Sequence, residues 1–224
     1  MKSYDLIIKN AQIHTMDEDR KVYAKGIIGI EGEKITLIKE MNELTPEELQ
    51  ECEGAGRVID AEGKVVFPGF IDTHIHIFQS FLKGLGADHR LIEWLNLSAL
   101  PYGQYMTPHQ HELAAQLACM EAIKSGCTTM CEFFYTNQDS ELAHSCIEGM
   151  VSTGIRSVFI RTFQDTGEEY GMPKCFLEPV GKAMKEVDAL KKAYKENDML
   201  SIWTGPDVTW STTKEGYQEM LEYC

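Results

Sequence analysis

From Val66 to the last residue the sequence repeats one pattern, a strand followed by an amphipathic helix, and no other feature restricts the fold as strongly. The first strand runs from Val65 into His74-Ile75-His76. Its helix opens at Thr107-Pro108-His109-Gln110, where a threonine cap, a first-turn proline and a third-position amide make a capping box. Leu113, Leu117, Met120 and Ile123 recur on one face of that helix, the face expected to pack inward, and Gly126 ends it. Strand 128–134, helix 140–152 stopped at Gly154, strand 156–163, helix 179–197, strand 200–208 and a helix capped by Thr212 with Glu215 at N3 complete four units. Such alternation implies a parallel sheet with right-handed crossovers, an α/β fold. A small open protein of four parallel strands is the competing architecture.

Residues 5–66 read differently, as antiparallel β structure. Leu6 to Thr15 alternates, Gly26-Ile27-Ile28-Gly29-Ile30 meets Lys34-Ile35-Thr36-Leu37-Ile38 across Glu31-Gly32-Glu33, and Arg57 to Asp60 turns at Glu62-Gly63 into Lys64-Val65-Val66. One helix interrupts them, opened by the capping box Thr45-Pro46-Glu47-Glu48. The chain therefore divides into residues 1–65 and 66–224.

Charge and cysteine usage narrow the function classes. With 21 basic against 35 acidic side chains the formal charge is −14, which disfavours phosphate backbones and anionic lipid surfaces. Neither a secretory signal nor a run long enough to span a bilayer is present, so neither nucleic acid nor membrane is an expected partner, and the cytoplasm is the expected location. The seven cysteines show no Cys-x-x-Cys pair and read as small buried hydrophobes in a reducing compartment. Cys127 and Cys131, four apart on a strand, could share a face as thiolate ligands, although such motifs usually bring a second close pair.

The chemistry is carried by the end of the first strand, Pro68-Gly69-Phe70-Ile71-Asp72-Thr73-His74-Ile75-His76. Histidines two apart on a strand project from one face. Two neutral imidazoles converging at a strand end make half of a divalent metal site, since zinc and similar ions take nitrogen ligands at about 2 Å. His109 and His111 cannot do the same, because residues two apart in a helix point about 200° away from each other. His14, His89 and His144 stand singly among polar or loop residues and read as surface histidines.

That segment, with Gly84-Leu85-Gly86-Ala87-Asp88 and Glu93-Trp94-Leu95, resembles the amidohydrolase superfamily in its chlorohydrolase and nucleobase-deaminase branch. The resemblance implies the amino-terminal part of a (β/α)8 TIM-type barrel, about four β/α units, preceded by a small β-sandwich segment. A closed barrel of this kind takes about 250 residues, so the expectation is an incomplete barrel from a longer enzyme, inactive alone. It also implies one divalent metal, zinc with iron or manganese as alternatives, held by His74 and His76 together with downstream histidines and an aspartate. Strand 200–208 lacks the lysine that bridges two metals in another branch, which favours a mononuclear centre.

The implied reaction is metal-dependent hydrolysis of a carbon–nitrogen or carbon–halogen bond, foremost deamination of a heterocycle by activated water. Gln79 matches a substrate-contacting glutamine of similar deaminases, and Trp94 could wall a planar substrate. Arg161, near the end of strand 156–163, could bind a carbonyl or oxyanion; Glu132 and Asp207 are weaker candidates. Leu100-Pro101-Tyr102-Gly103 replaces the family's Leu-Pro-x-Glu ribose motif, which points to a free heterocycle as the small-molecule partner. A homo-oligomer is left open for the full-length protein. Cyclic amide hydrolysis is the nearest enzymatic alternative, and a non-catalytic remnant or interaction module the alternative of another class.

Overall fold

The computed structural model describes residues 4–224, and the chain divides into two compact units, Met1–Pro68 and Gly69–Cys224. The first unit is a sheet centred on β1 (Leu6–His14). β2 (Val22–Glu31) pairs antiparallel with β1, and β3 (Lys34–Glu40) antiparallel with β2. The expected fully antiparallel module is corrected on the other side of β1, where β4 (Arg57–Asp60) and β5 (Val65–Val66) both run parallel to it. The cause is α1 (Pro46–Glu53), capped by Thr45 as its capping box predicts, which carries the chain back as a crossover and so reverses the sense of the strand that follows. Ile27 and Ile28 point to opposite faces, as neighbours on a strand must. Ile27 joins Tyr4, Ile7, Leu37 and Cys52, while Ile28 joins Ala11, Ile13, Tyr23 and Ala61. Among the described residues of this unit there is one sheet, with α1 over part of one face.

In the second unit β6 (Phe70–Ile75), β7 (Cys127–Phe134), β8 (Arg156–Phe163) and β9 (Leu200–Pro206) lie in that order, every neighbouring pair parallel. Between and after them come α2 (Leu91–Trp94), α3 (Leu100–Gly103), α4 (Pro108–Lys124), α5 (Ser140–Ser152), α6 (Val180–Ala193) and α7 (Lys214–Tyr223). Met130, Phe134, Phe159 and Ile202 from the strands meet Ala114, Ala118, Ile147 and Val187 from the helices in one core. The alternate strand positions, among them Ile71, Cys131, Phe133, Ile160 and Trp203, line an open apolar groove on the other face.

The packing of α4 overturns the expectation for its inward face. Leu113, Met120 and Ile123 are 41%, 50% and 43% exposed, whereas His111, Ala114, Ala115, Ala118 and Cys119 are buried. Small side chains win because α4 and α5 approach backbone to backbone: a Cβ on Gly149 would lie 2.4 Å from the Glu112 carbonyl oxygen and 2.7 Å from the Ala115 Cβ. Bulky leucine or methionine at that contact would force the helices apart.

Two boundaries also move. The helix expected over 179–197 ends at Ala193. The final helix is capped by Thr213 rather than Thr212, since Asp165 accepts from the Thr213 backbone N–H (2.7 Å) and hydroxyl and fixes that residue at the cap. All seven cysteines are free; Cys52, Cys119, Cys131 and Cys146 are buried, and Cys175 and Cys224 exposed. No helix of the described residues is long and apolar enough to cross a membrane.

Candidate active site

An irregularity in β6 aims the histidines. Asp72 pairs with Met130 and Ile75 with Glu132, so three steps along β6 match two along β7, and the extra residue is a bulge. In a regular strand His74 and His76 would share a face with Asp72, opposite Ile71 and Thr73. The bulge reverses that parity. Ile71 and Thr73 line the open groove with Phe133, and His74 nevertheless packs on the same Phe133 ring, tilted by 42° with centroids 4.1 Å apart. Asp72 Oδ1 accepts from the His74 backbone N–H (3.2 Å) across the kink.

The His74 and His76 rings lie 4.9 Å apart, edge to face. His76 is positioned from both ends. Its Nδ1 is 2.7 Å from the Phe133 carbonyl oxygen, which can only accept, so Nδ1 carries the proton and Nε2 presents its lone pair. Burial pushes its pKa down to about 4, with the His74 ring acting in the same direction against the Phe133 carbonyl, which leaves a neutral imidazole at neutral pH. Behind it, Glu132 is fully buried, and its Oε2 accepts from the Ile77 N–H (2.6 Å), fixing the turn that starts one residue after His76. Burial, opposed by the Ile77 bond and assisted by the Asp207 charge, raises the Glu132 carboxyl well above the usual range.

These two imidazoles fit a divalent ion as a partial ligand set. One has its donor tautomer fixed by a carbonyl, the arrangement usual for ligating histidines. Among the described residues no group of three or more His, Cys, Asp or Glu side chains converges as a metal site, against the three protein ligands typical of catalytic zinc.

Beside His76 opens a cavity of about 140 Å³ lined by Gln79, Trp94, Tyr135, Met172, Asp207 and Trp210, with leucines from the α2 region. Gln79 Nε2 donates to the Tyr135 hydroxyl (3.0 Å), leaving the amide carbonyl as an acceptor. Trp94 Nε1 donates to the Leu85 carbonyl (3.0 Å), and a Cβ on Gly86, which has φ of +67°, would sit 2.9 Å from Trp94 Cδ1. That close approach gives Gly84-Leu85-Gly86 its physical role, docking the indole. Asn96 Nδ2 donates to the Tyr170 carbonyl (3.0 Å) and holds the segment that carries Met172. Asp165, through Thr213, tethers the segment that carries Asp207 and Trp210. Asp207 is half-buried as a residue, yet its Oδ1 has no solvent exposure and no hydrogen-bond partner. Burial pushes its carboxyl up to about 6, with Gln164 pulling the other way.

Of the residues singled out in the sequence, His76, Gln79, Trp94 and the weaker candidate Asp207 line this cavity, and His74 stands beside His76. Trp94 also packs against the cluster of Phe78, Leu82 and Leu100, so wall and core roles coincide. Arg161 is elsewhere, which corrects its placement at the pocket. It lies on the helix side of β8, wholly buried, ion-paired with Glu178 and Glu186, with Nη1 donating to the Thr162 carbonyl (2.7 Å). The phase of β8 puts it there, on the side of Phe159 and Phe163. His111 is a core residue, 3.4 Å through Nε2 from the Thr136 hydroxyl, and burial takes its pKa down to about 4. Tyr135, Met172 and Trp210 carried no motif. Alternation through Cys131 and Phe133 could have found Tyr135, whereas the other two lie on irregular segments.

The comparisons with known proteins agree with this architecture. A 5-methylthioadenosine/S-adenosylhomocysteine deaminase from Bacillus cereus is 30% identical over 216 residues, covering 96% of this chain and 45% of the relative. The corresponding protein of Bacillus cytotoxicus is 29% identical with the same coverage. The chain thus spans about half the length of the curated relatives it matches. In fold it is similar to zinc-complexed atrazine chlorohydrolase TrzN from Arthrobacter aurescens (TM-score 0.78, 20% identity, 97% of this chain and 50% of that one). Guanine deaminase from C. acetobutylicum, solved with guanine in its active site, superposes with a TM-score of 0.77 at 18% identity over the same shares. The amidohydrolase family model matches residues 65–224, the whole stretch that builds the parallel sheet and the histidine-bearing cavity, and the chain accordingly belongs to the amidohydrolase family.

Proposed function

We propose that this chain supplies the first half of the active site of a metal-dependent hydrolase that deaminates a nitrogen heterocycle, with the N-terminal sheet as its part of a composite β domain. The observation that carries the reading is the fixed tautomer of His76, which leaves Nε2 as the free donor atom of a ring that lines a cavity walled by aromatic side chains. His74 and His76 would hold the ion, zinc by analogy with the zinc-complexed fold relatives. Its chemistry when bound is Lewis-acid activation of water toward the carbon bearing the leaving amine.

The remaining tasks fall to the chain's own side chains. Trp94 and Trp210 exclude water and favour a planar ring; Gln79 and the Tyr135 hydroxyl orient its polar edge. Completion of the ligand set would come from a downstream half, as the length of the relatives suggests. The test is metal content by atomic emission together with ammonia release from amino-substituted heterocycles, on the protein with that half present. Replacing His74→Ala and His76→Ala together is expected to remove the metal and ammonia release; metal retained at wild-type stoichiometry would place the ligands elsewhere. Ring opening without ammonia would move the assignment to cyclic amide hydrolysis.

A further inference from the structure

The cavity beside His76 is unbalanced in its hydrogen-bonding groups. Asp207 contributes a carboxylate with one oxygen unpartnered. Gln79 has committed an N–H to Tyr135, which leaves its carbonyl as an acceptor. Among the described residues that line the cavity there is no lysine or arginine, and the donors are neutral ones, the Tyr135 hydroxyl, the second Gln79 N–H and the Trp210 indole N–H. A second carboxylate, Glu132, lies near enough for the Asp207 charge to act on it. Gln164 acts on the Asp207 carboxyl, but the buried Oδ1 has no donor, and a buried carboxylate oxygen left so is costly unless a ligand brings one. His74, His76 and Asp207 do not converge as a three-ligand metal site.

We infer that Asp207 is the specificity residue of this cavity, accepting hydrogen bonds from the exocyclic amino and ring N–H groups of an amino-substituted heterocycle or its cation, in preference to a ring with carbonyls on that edge. This rests on the reading of the cavity as a heterocycle site and names the substrate class within it. The apolar remainder of the lining, Leu91, Leu95, Leu100, Met172 and Val208, sets no polar requirement of its own, and the Trp210 ring favours a flat ligand. Specificity then comes from acceptors on the protein matched to donors on the ligand, where a wrong edge sets acceptor against acceptor.

The experiment is calorimetric titration of the protein with the downstream half present, using 2,4-diaminopyrimidine and uracil, rings of the same size whose edges exchange amino groups for carbonyls. Wild type is expected to prefer the diamine at least tenfold; equal affinity, tighter uracil binding or no binding of either overturns the proposal, whatever the variants do. In Asp207→Asn the diamine is expected to weaken at least tenfold while uracil is unchanged or tighter, with zinc content and the circular dichroism spectrum retained. A parallel loss of both ligands in a folded Asp207→Asn, or an unchanged preference, also overturns it. Zinc content separates this outcome from failure of the hydrolase reading, which the histidine pair controls.

Discussion

Arg161 and Asp207 stand near the ends of neighbouring strands, both withdrawn from water, and the protein treats their charges in opposite ways. The Arg161 guanidinium sits between Glu178 and Glu186 under α6, with Glu178 Oε2 3.1 Å from Nη2 and only Nε left without a partner. Asp207 has an oxygen with no partner at all and borders a cavity. The first arrangement is internally compensated and can only hold the fold. The second is left incomplete by the chain, which is the condition for binding something the chain does not contain.

The contrast can be broken most forcefully at Arg161. Arg161→Met should leave the buried Glu178 and the partly buried Glu186 without their shared cation and destabilise the protein by about 3–5 kcal/mol, read from the urea midpoint. Replacing Glu178 and Glu186 by leucine in the same background should restore most of that loss. A variant of undiminished stability with ligand binding lost would return Arg161 to the pocket.

Asp207→Asn tests the other side through pH. Because the folded carboxyl titrates at about 6, above the usual carboxylate range, the native state takes up a proton between about pH 4 and 6 that the unfolded chain does not. Wild-type stability therefore falls as pH rises through that window, by about 2–3 kcal/mol at most. His76 and His111, whose pKa values lie near 4, act in the opposite direction but are common to both proteins. The stability of Asp207→Asn relative to wild type should accordingly be greater at pH 8 than at pH 4; a pH-independent difference would mean that Asp207 is not desolvated.

Gln79→Ala is the mildest perturbation. It removes one hydrogen bond to Tyr135 and one ligand contact, for an expected weakening of heterocycle binding of about threefold to tenfold, near 1 kcal/mol, with zinc content intact. Loss of zinc in this variant would make Gln79 a support for the histidines instead of a wall of the cavity.

Much of the parallel sheet was legible because each unit announces itself locally. The capping boxes at Thr45 and Thr107 form as their sequences require, and strand 156–163 has the bounds that its apolar run sets. Parity and partner choice were less legible. Leu113, Met120 and Ile123 mark a regular stripe, yet close approach at Gly149 selects the alanine face. Arg161 has the position of a pocket residue along its strand and the wrong phase across it.

By itself, then, the sequence determined the order of strands and helices, the histidine pair and the glycines around Trp94, because each rests on interactions within a few residues. Tertiary structure alone decided that β4 and β5 run parallel to β1, that a bulge turns His74 and His76 toward Phe133 and Tyr135, and that Asp207 lacks a partner. Those outcomes depend on pairing register and on which groups arrive from distant segments to satisfy a buried charge. No local pattern encodes either.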